Sequence, residues 1–150
     1  MEYAPHKKTI LIVDDEPSIL DIVARLLASD DYNILTATTG QMGLQRSREF
    51  EGEIELLLSD FQMPGMSGVD LATAMTIERP RLKVLLMSAF PNGVLVLNEG
   101  WHFLPKPFVA SQLRALVAGL VFPDRNSKFS NCLDIILIFL RLNNQNSRLF

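Results

Sequence analysis

Four short apolar runs in this chain each give way to a polar group. Thr9 to Val13 leads into Asp14 and Asp15, Glu55 to Ser59 into Asp60, Leu82 to Met87 into Ser88, and Phe103-Leu104-Pro105 into Lys106. The runs have the length and the β-branched or leucine content of buried strands. Leu56-Leu57-Leu58 shows no alternation, as expected of a strand covered on both faces. Strands of a parallel sheet end along one edge, and ligands of α/β proteins sit there. The pattern therefore brings three carboxylates, a hydroxyl and an ammonium toward one crevice.

Helical signals fill the gaps between the runs. Over Pro17 to Ser29, residues Ile19, Ile22, Val23, Leu26 and Leu27 fall at helical spacing; Asp15 precedes them and Pro17 suits a first turn. Gly40 to Phe50 is a weaker helix. Ser67 is placed to cap a third helix that reaches about Glu78 and stops before Pro80. Val94 to Asn98 has room for little more than a turn or two, and Gly100 ends it. Val109 to Val121 carries an apolar stripe of Leu113, Leu116, Val117, Leu120 and Val121. With Ile10–Val13, Asn33–Ala37, Glu53–Ser59, Leu82–Met87 and Trp101–Leu104 as strands, the expected fold is α/β. It is a doubly wound five-stranded parallel sheet with helices on both faces and a shortened fourth helix. The flavodoxin-like order 2-1-3-4-5 sets the first and third strands side by side, so Asp14, Asp15 and Asp60 share the switch-point crevice.

At 150 residues the chain suits one domain with a full core. Fourteen basic against 17 acidic side chains leave no electrostatic footprint for nucleic acid. A single cysteine, Cys132, excludes an internal disulfide and a cysteine metal cluster. No apolar run approaches the roughly 20 residues that span a bilayer, and the N-terminus lacks a signal-peptide core. The expected location is cytoplasmic.

Oxygen-rich sites suit Mg²⁺, which is held by one or two carboxylates beside a phosphate. One carboxylate at such a site can attack phosphorus as a nucleophile. Transfer then needs mainly positioning and neutralisation of the phosphoryl oxygens. Lys106 and Ser88 are suited to contact those oxygens. Each residue also has a bland reading. An Asp-Asp pair before a helix can simply cap it, an Asp before a Pro-Gly loop can start a turn, and a lone lysine or serine is ordinary surface. It is the recurrence at four strand ends that favours function.

The chain resembles the receiver domain of two-component response regulators. The matching residues are Ile12 to Glu16, Ser59 to Gly68, Met87-Ser88-Ala89 and Lys106-Pro107-Phe108, within about residues 8 to 122. The resemblance implies that Asp60 accepts a phosphoryl group from a histidine kinase or a histidine phosphotransfer protein. It implies that Asp14, Asp15, Asp60 and the Gln62 backbone carbonyl hold Mg²⁺. Ser88 and Lys106 would sense the phosphoryl group, Phe103 would be the switch aromatic, and the Lys106–Pro107 bond would be cis. Such a domain is a phosphoacceptor rather than an enzyme acting on an external substrate.

Three features depart from that pattern. Ser88 to Lys106 is 18 positions, about one helical turn shorter than family members commonly have. Phe90 lies where its ring would shield Asp60 from water, so slow autodephosphorylation is expected. Beyond Pro123 the composition changes, and Leu133 to Leu142 is nearly continuous apolar sequence. Residues 1–122 are thus read as the receiver and 123–150 as an extension that packs on its own domain or on a second copy, giving a homodimer. A phosphatase-like hydrolase would need an acid two residues after Asp60, where Gln62 stands. A nucleotide or flavin module would need a phosphate-cradling loop where Asp14-Asp15-Glu16-Pro17 stands. A pseudo-receiver that serves only as an interaction scaffold is the remaining alternative.

Overall fold

A computed structural model describes residues 6–29, 31–89 and 100–123. Five strands are present: β1 (Lys8–Val13), β2 (Tyr32–Ala37), β3 (Leu56–Asp60), β4 (Lys83–Ser88) and β5 (Trp101–Pro105). All neighbours run parallel, in the order β2-β1-β3-β4-β5. Four helices are described: α1 (Pro17–Leu27), α2 (Gly40–Glu49), α3 (Gly68–Glu78) and α4 (Ala110–Val121). The expected sheet and strand order are therefore present. The short helix expected over Val94 to Asn98, Phe90, and the tail beyond Pro123 lie outside the described residues.

The chain comprises two compact units, Met1–Phe108 and Val109–Phe150. The first holds the whole sheet. Its three central strands are apolar on both faces, as the unbroken Leu56-Leu57-Leu58 run requires, and all three leucines are fully buried. Alternation along β1 divides the core. Leu11 and Val13 join Leu57, Val84 and Leu86 in a cluster closed by Leu44 of α2 and Leu71, Ala72 and Met75 of α3. Helix α1 lies along β1 and β2 and buries Leu20, Val23 and Leu27. Ile22, which falls at helical spacing in the sequence, is instead half exposed. In the second unit, α4 buries the expected stripe of Leu113, Leu116, Val117, Leu120 and Val121.

Element boundaries differ from the sequence pattern where side chains compete with the backbone. β3 begins at Leu56 rather than Glu53, because the ladder to both neighbours starts only where Leu56 meets Ile10 and Lys83. Just before it, the Glu55 carboxylate accepts a 2.6 Å hydrogen bond from the Thr9 amide. α3 starts as the sequence predicts. Ser67 Oγ accepts from the Asp70 amide and Asp70 accepts from the Ser67 amide, both at 3.1 Å, a reciprocal box that satisfies two helix-end donors.

Candidate phosphoryl site at the C-terminal edge of the sheet

β1, β3 and β5 deliver the charged groups of the site along one edge. Asp14 follows β1, Asp60 ends β3 and Lys106 follows β5. The Lys106 ammonium lies 3.1 Å from Asp60 Oδ1 and 3.4 Å from Asp14 Oδ2. One carboxylate oxygen from each of Asp14, Asp15 and Asp60 lies within 4.8 Å of the others. Asp14 is buried, Asp60 partly so, and Asp15 faces solvent. Ser88, at the end of β4, is buried, and its carbonyl accepts from the Lys106 amide at 2.7 Å. The Lys106–Pro107 peptide is cis.

The acids are not simple caps. The residue flanking α1 is Glu16, and no side chain caps that helix. Asp14 Oδ1 instead accepts from the Glu16 amide at 2.9 Å, a local turn that holds one oxygen and leaves Oδ2 toward Lys106. The loop after Asp60 is fixed by glycine in two ways. Gly65 has φ +77°, a left-handed value that favours glycine. A Cβ on Gly68 would collide with the Asp60 carbonyl oxygen, so only glycine lets α3 start so close to β3.

Charge in the pocket is unbalanced: among the described residues, three carboxylates face one cation. Burial raises the Asp60 carboxyl above its ordinary value; Lys106 opposes that rise by hydrogen bond and charge, while Asp14 and Asp15 reinforce it. Burial works against the charge on Lys106, but Asp14 and Asp60 outweigh it and hold the ammonium above its ordinary value. The two directions agree physically: the cation is secure, and the surplus negative charge is not. Such a cluster of hard oxygen donors fits a small divalent cation, which would neutralise the surplus.

The remaining predicted residues have less decisive positions. Gln62 has an exposed side chain. Phe103 is partly buried against the core cluster on the α2–α3 side, together with Trp101. His102 alternates to the other face, and burial together with Lys83 lowers its pKa. Two further residues shape the site without a predicted role, Ser59 and Gly68. Ser59 carries a signal, a hydroxyl that directly follows three buried leucines. Gly68 carries none beyond its place in the loop, since its requirement is a contact across the fold.

The profile of the response regulator receiver domain matches residues 10–118. The chain belongs to that family. The receiver resembles sensor kinase CckA of Brucella abortus, with 31% identity over 113 residues, covering 73% of this chain and 12% of that protein. It also resembles the "Probable transcriptional regulatory protein TcrX" of Mycobacterium tuberculosis, with 33% identity over 117 residues, covering 73% of this chain and 49% of the relative. The chain thus spans half or less of the length of these relatives. The crystal structure of a response regulator receiver domain protein from Clostridium thermocellum superposes with a TM-score of 0.69. That match has 28% identity and covers 79% of this chain and 97% of that one. The span matched by the family profile includes Asp14, Asp60, Ser88 and Lys106. Among the described residues, no helix is long and apolar enough to cross a membrane.

Proposed function

We propose that this receiver takes a phosphoryl group on Asp60 from a histidine kinase or histidine phosphotransfer protein, and changes partner affinity when it does so. The observation that carries the reading is the Lys106 ammonium set between Asp60 and Asp14, with Asp15 completing a carboxylate group at the strand ends. Asp14, Asp15, Asp60 and the Gln62 carbonyl would hold Mg²⁺. The ion would supply neutralisation of phosphoryl oxygens, worth several kcal/mol of transition-state charge stabilisation on an order-of-magnitude basis.

The chain's own residues account for the rest. The Asp60 carboxylate oxygen bonds to phosphorus as the donor's phosphorus–nitrogen bond breaks, and the departing imidazole keeps the electron pair. Lys106 stays protonated and pairs with the charge that develops on the phosphoryl group. Ser88, at the end of the strand paired with β3, is in the right neighbourhood to donate to it. Phe103 is the aromatic that would transmit the change, from a site where it already contacts the core. We assign the receiver to residues 1–122, and read 123–150 as an extension that packs on the domain or on a second copy, in a cytoplasmic setting. The receiver would act either free-standing or as part of a longer regulator or hybrid kinase.

The test is intact-mass analysis after incubation with acetyl phosphate and Mg²⁺. One phosphoryl adduct is expected on the parent, and none on Asp60→Ala or without Mg²⁺. A folded parent that takes no phosphoryl group would favour the pseudo-receiver scaffold.

A further inference from the structure

Ser59 follows the three leucines of β3 and directly precedes Asp60, and it is fully buried. Its Oγ donates to the Asp60 carbonyl oxygen at 2.9 Å. The register sets Ser59 opposite Val13 on one side and Leu86 on the other, on the face closed by α3. A buried serine commonly satisfies its hydroxyl on a nearby carbonyl, so the bond alone is ordinary. Its target is not. The same carbonyl is the one against which Gly68 packs. The amide of that same peptide unit, Phe61 N–H, donates to the Met87 carbonyl at 2.8 Å. The Phe61 carbonyl in turn accepts from Gly68 N–H at 3.0 Å.

The peptide that leaves Asp60 is therefore tied at both of its polar ends. β4 ties the N–H, Ser59 ties the C=O, and the first residue of α3 closes over it. An aspartate side chain has only two torsions between its backbone and its reacting oxygen. A tilt of that peptide shifts the Asp60 Cα and carries the carboxylate with it, and reactions of this kind lose rate steeply with small misplacements. We infer that Ser59 is a positioning residue for the phosphoacceptor: its hydroxyl holds the Asp60 backbone so that the carboxylate meets phosphorus in line. This role rests on the reading of Asp60 as acceptor.

The test compares the full-length parent with Ser59→Ala, Ser59→Cys and Arg79→Ala in two measurements. The first is the rate of phosphoryl uptake from acetyl phosphate, varied over acetyl phosphate and Mg²⁺. The second is amide hydrogen exchange at Phe61. Ser59→Ala is expected to lower the maximal rate about tenfold. The half-saturating concentrations of acetyl phosphate and Mg²⁺ should move less than about twofold, because the hydroxyl orients the nucleophile and binds neither. Ser59→Cys, which keeps the shape with a weak donor, falls between. Phe61 exchange should quicken in Ser59→Ala. Arg79→Ala, which loosens the C-terminal end of α2 and the loop after it, should lower stability, leave the rate alone, and quicken Phe61 exchange no more than its loss of global stability requires.

A Ser59→Ala rate equal to the parent's overturns the inference. So does a loss that appears only in the half-saturating concentrations, or one that Arg79→Ala reproduces at an equal drop in Tm. If Ser59→Ala does not fold, Ser59→Cys is judged by the same criteria. A folded parent that takes up no phosphoryl group overturns the reading of Asp60 itself, and the role of Ser59 falls with it. Unchanged Phe61 exchange overturns the Ser59 inference even where the parent is active.

Discussion

The two ends of the sheet handle charge in opposite ways. At the C-terminal edge, Asp14, Asp15 and Asp60 crowd together, and the ammonium of Lys106 pairs with Asp14 and Asp60. At the N-terminal edge, charges are matched to partners. The Arg79 guanidinium donates to Ser47 Oγ and to the carbonyls of Ser47, Phe50 and Gly52 at 2.7–3.0 Å, closing the end of α2 with a cation where the helix dipole favours one. Glu55 accepts from the Thr9 amide and lies 3.9 Å from Lys8. One end is arranged to hold the fold together. The other gathers surplus negative charge, which a bound cation would relieve. Local charge conflict at a site that is otherwise well packed is what a functional site leaves in a structure.

Substitutions can break that contrast, and their effects should fall in a definite order. Gly68→Ala should be the most damaging, because its Cβ meets the Asp60 carbonyl backbone and not a side chain that can move aside. A loss of about 2–3 kcal/mol is expected from overpacking, measured by urea denaturation, together with loss of phosphoryl uptake by mass. Arg79→Ala should cost about 1–2 kcal/mol, since part of its hydrogen bonding passes to water at a partly exposed position. Phosphoryl uptake should be unchanged, which would show that the two edges are separable.

Asp60→Asn sharpens the comparison with the opposite sign. Asp60 has a raised pKa in the fold, so the native state binds its proton more tightly than the unfolded chain does. Its ionisation therefore weakens the fold progressively as pH rises from the unfolded carboxylate value of about 3.9 through the higher folded value. In chelator at pH 7, Asp60→Asn should be more stable than the parent by about 1 kcal/mol. The gain should shrink as pH is lowered toward 4. Added Mg²⁺ should raise the parent's Tm and close the gap; a gap that is constant with pH would disprove the charge explanation. Arg48→Ala should matter least. Its 2.7 Å pair with Glu78 joins α2 to α3 at an exposed position, so Tm should stay within error and uptake should not change.

Much of this architecture is legible in the order of the residues. Uninterrupted leucines can be buried only by cover on both sides, so Leu56-Leu57-Leu58 names a central parallel strand. The apolar runs that stop at Asp14, Asp60, Ser88 and Lys106 name the edge where the polar groups meet. The capping role of Ser67 is legible from its place just ahead of an apolar helix. Less legible is anything that depends on a partner distant in sequence. Ile22 fits helical spacing yet half faces solvent, because spacing gives the face of a helix and not the width of what covers it. Arg79 carries no local signal, since its four acceptors lie 27 to 32 residues away.

The sequence by itself determined the element order, the parallel sheet and the set of groups at its C-terminal edge, because periodicity and strand ends are properties of neighbours along the chain. Only the tertiary structure decided that Asp14 gives one oxygen to Glu16 and the other to Lys106, that Asp15 is a solvent-facing acid and not a helix cap, and that Gly68 must lack a side chain. Only there did the Ser59 hydroxyl meet the carbonyl that α3 closes over. Those outcomes turn on distances of a few ångströms between segments the chain brings together only on folding, where packing and charge at contact range choose among arrangements that the sequence pattern leaves equal.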